Sequence, residues 1–317
     1  MKIVVQGKVD PAEIPHFAPI AERAEVRTAR NLADLEGALP GADMLLGWDF
    51  RADQLEQAWQ YADTLRWIHW SGAGVDAVLF RELATSNVVL TNARGIFDRA
   101  MAEYVLGCVI AMTKRLPETV QLQGRAEWQH RLTERIQGRR ALVVGIGSIG
   151  RAVARLLRAT GMRVSGVATT ARSGDPDFER LYGAESLTAA ASEAEFLISV
   201  LPETEATRGV LSREVLEALP PGARVINVGR GTALDSTALV DGLECGRLSG
   251  AVLDVFEEEP LPGSSPLWTV PNLLISPHMS GDYVGYEEDL GRLFARNYQR
   301  FEAREPLLNV VDKTRGY

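Results

Sequence analysis

The sequence predicts an α/β fold made of two doubly wound parallel units. Short apolar runs alternate with helically spaced stretches from Lys2 to about Asn92, the pattern of a parallel sheet covered by helices. A second train of apolar runs starts at Ala141 and continues to Ser276. Its first run ends in Gly145-Ile-Gly-Ser-Ile-Gly150, a glycine-punctuated strand–helix turn. At 317 residues the chain has room for about two domains, and its 46% apolar content is ordinary for packed cores.

In chain order, strands are expected at Lys2–Gln6, Glu25–Thr28, Ala42–Trp48, Leu65–Trp70 and Val88–Thr91. Helical spacing falls near His16–Arg23, Leu32–Leu39 and Asp53–Tyr61. The strand ending at Trp70 runs into Ser71-Gly-Ala-Gly-Val-Asp76. Glycines spaced this closely at a strand's carboxyl end leave N–H groups free to hold an anion; a plain strand–helix turn explains the segment equally well. A long apolar helix follows over Ala100–Lys114, with Met101, Tyr104, Val105, Val109 and Met112 along it. The polar stretch Arg115–Arg139 then carries Trp128. Such an amphipathic arm either covers a partner subunit or lies as a surface helix on its own domain. Strands are next expected at 141–144, 162–167, 196–200, 224–228, 249–253 and 273–276, and a closing helix at Tyr286–Arg300.

The turn after 141–144 carries chemistry. Strand, glycine turn, helix from Ser148 and Ile149 onward, and a second strand at Met162–Val167 give the context of the dinucleotide fingerprint. Among Gly145, Gly147 and Gly150, one makes the turn, one admits a pyrophosphate to the backbone and one lets helix and strand pack closely. The helix start offers unpaired N–H groups and a positive dipole end to the phosphates. Composition narrows the partners. Net charge is −8 with no basic stripe, which argues against nucleic acid. The two cysteines, Cys108 and Cys245, fit a reducing compartment better than a disulfide framework. The amino terminus lacks a signal-peptide pattern and no apolar run would span a membrane, so a soluble cytoplasmic protein is expected.

The four histidines separate by context. His16 follows Ile14-Pro15 in a surface-like turn, His130 lies in a solvated run, and His69 alternates with Trp67 in a strand as a packed core residue would. His278 follows a strand and a proline at the carboxyl end where α/β ligands bind, and imidazole alone titrates near neutral pH unperturbed. Arg230, between Gly229 and Gly231 after another strand, has the fork that binds a carboxylate through two parallel hydrogen bonds. Glu259 lies in Glu257-Glu-Glu-Pro260 after the strand between them. Alone, that acidic run reads as a solvated loop. Arg, Glu and His on successive strand-end loops read as a site.

These segments carry a resemblance. Gly145–Gly150, Leu201-Pro-Glu-Thr-Glu-Ala-Thr207, Asn227-Val-Gly-Arg-Gly231, Leu253-Asp-Val-Phe-Glu-Glu-Glu-Pro-Leu261 and Ser276-Pro-His278, in this order, resemble the D-isomer-specific 2-hydroxyacid dehydrogenases over essentially the whole chain. The resemblance implies a Rossmann-type cofactor domain, about 95–285, inserted into a flavodoxin-like substrate domain of 1–94 and 286–317. It implies catalytic roles for Arg230, Glu259 and His278, and substrate-carboxylate contacts from the N–H groups of Gly72, Ala73, Gly74 and Val75. Leu201, Pro202, Thr207 and Asp254 would lie against the cofactor, no metal is needed, and a homodimer is expected. The implied substrate is a small 2-oxo or 2-hydroxy acid such as glyoxylate or hydroxypyruvate. Glu259 stands where the related formate dehydrogenases have Gln, which disfavours that activity. The resemblance also admits an alternative, a non-enzymatic dinucleotide-sensing corepressor of the same fold; the compact length argues against it. A methyltransferase, which shares the glycine turn, would leave the Arg–Glu–His trio without a role.

The residues after the second strand bear on the choice of cofactor. An NAD site places Asp or Glu about 20 residues past the fingerprint to hold the ribose 2′-hydroxyl. Ala168 occupies that position, followed by Thr169, Thr170, Ala171 and Arg172, with no carboxylate before Asp175 beyond the turn. Two hydroxyls and a guanidinium can hold a 2′-phosphate, so NADP(H) is expected ahead of NAD(H).

Overall fold

A computed structural model describes residues 1–317. The chain forms two compact units, Met1–Phe97 with Tyr283–Tyr317, and Asp98–Asp282. No helix is long and apolar enough to cross a membrane.

The first unit holds five parallel strands, β1 (Lys2–Gln6), β2 (Glu25–Ala29), β3 (Met44–Gly47), β4 (Trp67–Trp70) and β5 (Val89–Thr91), in the order β2-β1-β3-β4-β5. The register aligns Val4, Leu45, Ile68 and Leu90 in one row across the sheet. These residues face one apolar layer, while Ile3, Val5, Met44, Leu46 and Trp67 face the other. Burial on both faces explains why the strands read as continuous apolar runs. The helix Tyr286–Glu302 returns the chain to the second layer, where Phe294 stacks on Trp67 at 5.5 Å between ring centres. Asn31 caps the helix Leu32–Ala38 by accepting the Asp34 N–H at 2.9 Å.

His69 is a core residue, as its alternation with Trp67 predicts: it is 1% exposed. Its Nδ1 lies 2.8 Å from Thr91 Oγ1, which also accepts the Trp67 indole N–H at 2.8 Å. Burial pushes the imidazole down to about 3, so it stays neutral in the folded unit.

The second unit holds β6 (Arg140–Val144), β7 (Arg163–Ala168), β8 (Leu181–Gly183), β9 (Phe196–Ser199), β10 (Arg224–Asn227), β11 (Gly250–Leu253) and β12 (Leu273–Ile275). All are parallel, in the order β12-β11-β10-β9-β6-β7-β8. Strand order reverses between β6 and β9, the switch point where open α/β sheets bind ligands. The row Val143, Ile198, Ile226 and Val252 packs on one side, against Val105 and Val109 of the long helix.

Three expectations need correction. The sheet has seven strands where six are read from the sequence. The additional strand, β8, is a three-residue edge strand too short to show a pattern. The helix expected over His16–Arg23 shortens to Ala18–Ala21, and Asp53–Tyr61 resolves into Leu55–Ala58 plus a 3₁₀ turn at Trp59–Tyr61. The long helix, Asp98–Thr113, buries Ala102, Val105, Cys108 and Val109 in the core of its own unit and leaves Ile110 36% exposed.

Candidate active site

The fingerprint turn is built as a cradle. Gly145 has φ 101°, the left-handed region, and turns the chain out of β6. Gly147 occupies the N-cap of the helix Ser148–Ala159 with no side-chain cap, so the helix's first N–H groups face outward unblocked. A Cβ on Gly150 would stand 1.9 Å from the Gly145 carbonyl oxygen, so only glycine lets the helix approach the strand this closely. Ser148 and Ile149 are half-buried at the helix start. An uncapped helix start behind a left-handed glycine fits a pyrophosphate. Leu201 and Pro202, at the carboxyl side of β9, are half-buried. Thr207 shapes their loop, its hydroxyl accepting the Thr204 N–H at 2.9 Å and donating to the Pro202 carbonyl at 2.7 Å.

The three catalytic candidates follow consecutive strands. Arg230 follows β10, where buried Asn227 ties the turn: its Nδ2 donates to the Arg230 carbonyl at 3.0 Å and its Oδ1 accepts the Gly229 N–H at 3.2 Å. A Cβ on Gly231 would lie 2.0 Å from the Phe256 carbonyl carbon, so that glycine lets the Arg230 turn lie against the loop after β11. That loop carries Glu259. One of its oxygens, Oε1, accepts the Phe256 N–H at 2.9 Å; the other, Oε2, meets His278 Nδ1 at 2.7 Å. Both side chains are partly exposed, 22% for His278 and 25% for Glu259. A carboxylate on Nδ1 fixes the imidazole's orientation and makes Nδ1 a donor. The structure thus brings together Glu259 and His278, while Glu257 and Glu258 of the same run are exposed.

Asp254, expected beside the cofactor, is fully buried beneath the His278 loop. Its Oδ1 accepts from Ser276 Oγ at 2.6 Å and Met279 N–H at 3.0 Å, and its Oδ2 accepts the Ser280 N–H at 2.8 Å. The loop Gly72–Val75 belongs to the other unit. There the Gly72 carbonyl accepts the Ala93 N–H and the Ala73 carbonyl accepts from Asn92 Nδ2, while the N–H groups of Gly72, Ala73, Gly74 and Val75 make no backbone hydrogen bond.

The connection after β7 differs from expectation. Thr169, Thr170 and Arg172 are exposed at the strand end. Asp175 does not lie out beyond the turn. It folds back onto the fingerprint helix, where Arg151 grips it in a fork at 3.0 and 2.8 Å, and Arg172 Nη2 sits 3.4 Å away. Arg151 also reaches Asp177 at 2.7 Å, which Arg155 meets at 3.4 Å. The Arg151 hydrogen bonds, ahead of other influences, hold the Asp175 carboxyl down at about 2. The segment encloses a hollow of about 360 Å³ lined by residues 171–175 and 178–181. Arg151 follows directly on the fingerprint, but nothing local in the sequence links it to a carboxylate 24 residues on.

Known proteins agree with this architecture. The D-isomer specific 2-hydroxyacid dehydrogenase NAD binding domain matches residues 106–280. The chain belongs to the D-isomer specific 2-hydroxyacid dehydrogenase family. It is a nicotinamide-linked oxidoreductase of that family. It is 32% identical over 253 residues to glyoxylate/hydroxypyruvate reductase A of Salmonella heidelberg, spanning 78% of this chain and 80% of that one. A solved family member from Aeromonas salmonicida is 34% identical, with a TM-score of 0.84 over 98% of this dehydrogenase and 99% of that chain. An NADPH-dependent glyoxylate/hydroxypyruvate reductase from Sinorhizobium meliloti, solved with NADP and sulfate, is 28% identical, with a TM-score of 0.84 over 100% of this chain and 99% of that one.

Proposed function

We propose that this dehydrogenase is an NADP(H)-linked reductase of small 2-oxo acids, with glyoxylate and hydroxypyruvate as its substrates. In this reading Asp98–Asp282 is the cofactor unit, and the unit formed by the two chain ends handles substrate. The observation that carries the reading is the Glu259–His278 pair at 2.7 Å, an imidazole oriented for proton transfer at the carboxyl edge of a dinucleotide-type sheet. The bound nicotinamide cofactor supplies the hydride. His278 donates a proton from Nε2 to the alkoxide forming on the substrate. Glu259 holds the ring and stabilises the imidazolium. Arg230 binds the substrate carboxylate and polarises the carbonyl oxygen. The N–H groups of Gly72, Ala73, Gly74 and Val75 are the further anion contacts we assign to the carboxylate.

The choice of NADP(H) rests on charge. Arg151, Arg155 and Arg172 outnumber Asp175 and Asp177 around the end of β7. Both Asp175 oxygens are committed to Arg151, so Asp175 is not offered to a ribose hydroxyl. Thr169, Thr170 and Arg172 remain at the surface for a 2′-phosphate, and the NADP-bound Sinorhizobium relative supports the same preference. Arg172 is 54% exposed, so its contribution is screened. The expected result is a higher kcat/KM with NADPH than with NADH on glyoxylate, and a roughly 3–10-fold loss for NADPH alone in Arg172→Ala. Equal or better efficiency with NADH, untouched by the substitution, would refute the preference.

A homodimer is the proposed assembly. The helix Leu116–Gly124 and the arm that follows it turn large apolar side chains outward: Val120 is 67%, Leu132 84% and Trp128 100% exposed. Covering these by the same arm of a second copy, around a two-fold axis, removes the patch from both. Light scattering at micromolar concentration should give twice the 34.7 kDa chain mass; a monomer mass would rule the assembly out.

A further inference from the structure

A partly buried hydrogen-bond chain runs from the long helix Asp98–Thr113 to the loop that carries His278. The Tyr104 hydroxyl meets Ser276 Oγ, and Ser276 Oγ donates to Asp254 Oδ1 at 2.6 Å. A carboxylate only accepts, so the direction is set: Tyr104 donates to Ser276, and Ser276 donates to Asp254. Asp254 also accepts the Met279 and Ser280 N–H groups on its side chain and the His278 N–H on its carbonyl, at 3.0, 2.8 and 2.8 Å. Every residue from 276 to 280 except Pro277 is therefore bonded to Asp254.

The loop needs that many ties. His278 has φ 52°, the left-handed region, which a non-glycine residue holds only where its surroundings over-determine it. Asp254 is itself 0% exposed, so each donor lost there leaves a buried acceptor less satisfied. Burial pushes the Tyr104 phenol well above its ordinary range and the neighbouring Cys108 thiol up to about 12, so both stay protonated at neutral pH. Tyr104 is thus a permanent donor at the root of the chain.

We infer that Tyr104 and Ser276 are positioning residues for His278, acting through Asp254 to hold the loop in the conformation that presents Nδ1 to Glu259 and Nε2 to substrate. The inference rests on His278 being the proton carrier. Neither residue is expected to touch substrate or cofactor.

The test uses the full chain and the variants Ser276→Ala, Ser276→Thr and Tyr104→Phe, alone and in a His278→Ala background. Misplacing a reacting group by about 1 Å can cost up to ~10²-fold, so Ser276→Ala and Tyr104→Phe should lower kcat by ten-fold or more within that limit. Cofactor Kd should change far less than kcat, because the cradle at Gly145–Gly150 lies on a different strand end. Ser276→Thr, which keeps the hydroxyl, should recover most of the rate. In the His278→Ala background Ser276→Ala should cost nothing further, because the imidazole it positions is gone. The His278 Nδ1 proton resonance should shift in Ser276→Ala and return in Ser276→Thr. An unchanged kcat and resonance in Ser276→Ala, or losses that multiply with those of His278→Ala, would overturn the inference. If wild type reduced no 2-oxo acid, the functional reading would fall, and the resonance would still decide whether Ser276 and Tyr104 set the imidazole.

Discussion

Replacing His278 by Ala is expected to lower the turnover of 2-oxo acid reduction by roughly 10²–10⁴-fold, the range for removing a positioned general acid. The other partner of the pair, Glu259, has one oxygen on the Phe256 N–H and the other on Nδ1, and an ionised carboxylate has no proton to give. Cofactor affinity should be unaffected, because the cradle at Gly145–Gly150 lies on a different strand end. Glu259→Gln should cost less in rate, because the amide can still accept the Phe256 N–H while the ring loses the carboxylate that orients it. Pre-steady-state measurement of cofactor oxidation separates the chemical step from release. Wild-type turnover in His278→Ala would remove His278 from the mechanism.

The second large effect is expected at Gly150. A methyl group there would stand 1.9 Å from the Gly145 carbonyl oxygen, which is backbone and cannot swing aside. Gly150→Ala must push the helix Ser148–Ala159 off β6. Overpacking of this kind costs about 1–3 kcal/mol or more. At about 2–4 °C per kcal/mol for a unit of this size, Tm should fall by several degrees. Dinucleotide binding should be lost with it, because the same displacement moves the N–H groups of the cradle. Gly147→Ala is the control. Its Cβ meets nothing within 4 Å and its φ of −67° is open to any residue. It should leave Tm alone and weaken only cofactor binding, as expected where backbone approaches a pyrophosphate. Calorimetry and cofactor titration on both variants would check this; a Gly150→Ala protein as stable as wild type would contradict the close packing.

The sequence makes the sheets legible because their strands are buried on both faces. Such strands read as unbroken apolar runs ended by glycines, as at Ala141–Val144 before Gly145. Arg230, Glu259 and His278 are legible for a related reason: each lies in the loop that follows an apolar run. Pairings across long sequence separations leave no such trace. Tyr104 and Ser276 are 172 residues apart, and either alone reads as an unremarkable helix or loop residue. Asp175 looks remote because the turn that returns it to Arg151 is set by tertiary contacts. The face of the helix Asp98–Thr113 is ambiguous for a different reason: an apolar stripe has the same spacing whether it meets its own core or a partner. The fold separates the two: the helix buries Val105 and Val109 in its own core, and Ile110, Leu116, Val120, Trp128 and Leu132 are left exposed.

The proposed NADPH-linked formation of D-2-hydroxy acids is best tested with hydroxypyruvate, because its reduction creates a stereocentre. Purified enzyme with NADPH is expected to convert it to glycerate of the D configuration, identified by chiral chromatography, at a rate that collapses in His278→Ala. L-glycerate as the product, or no turnover of hydroxypyruvate or glyoxylate with either cofactor, would contradict it.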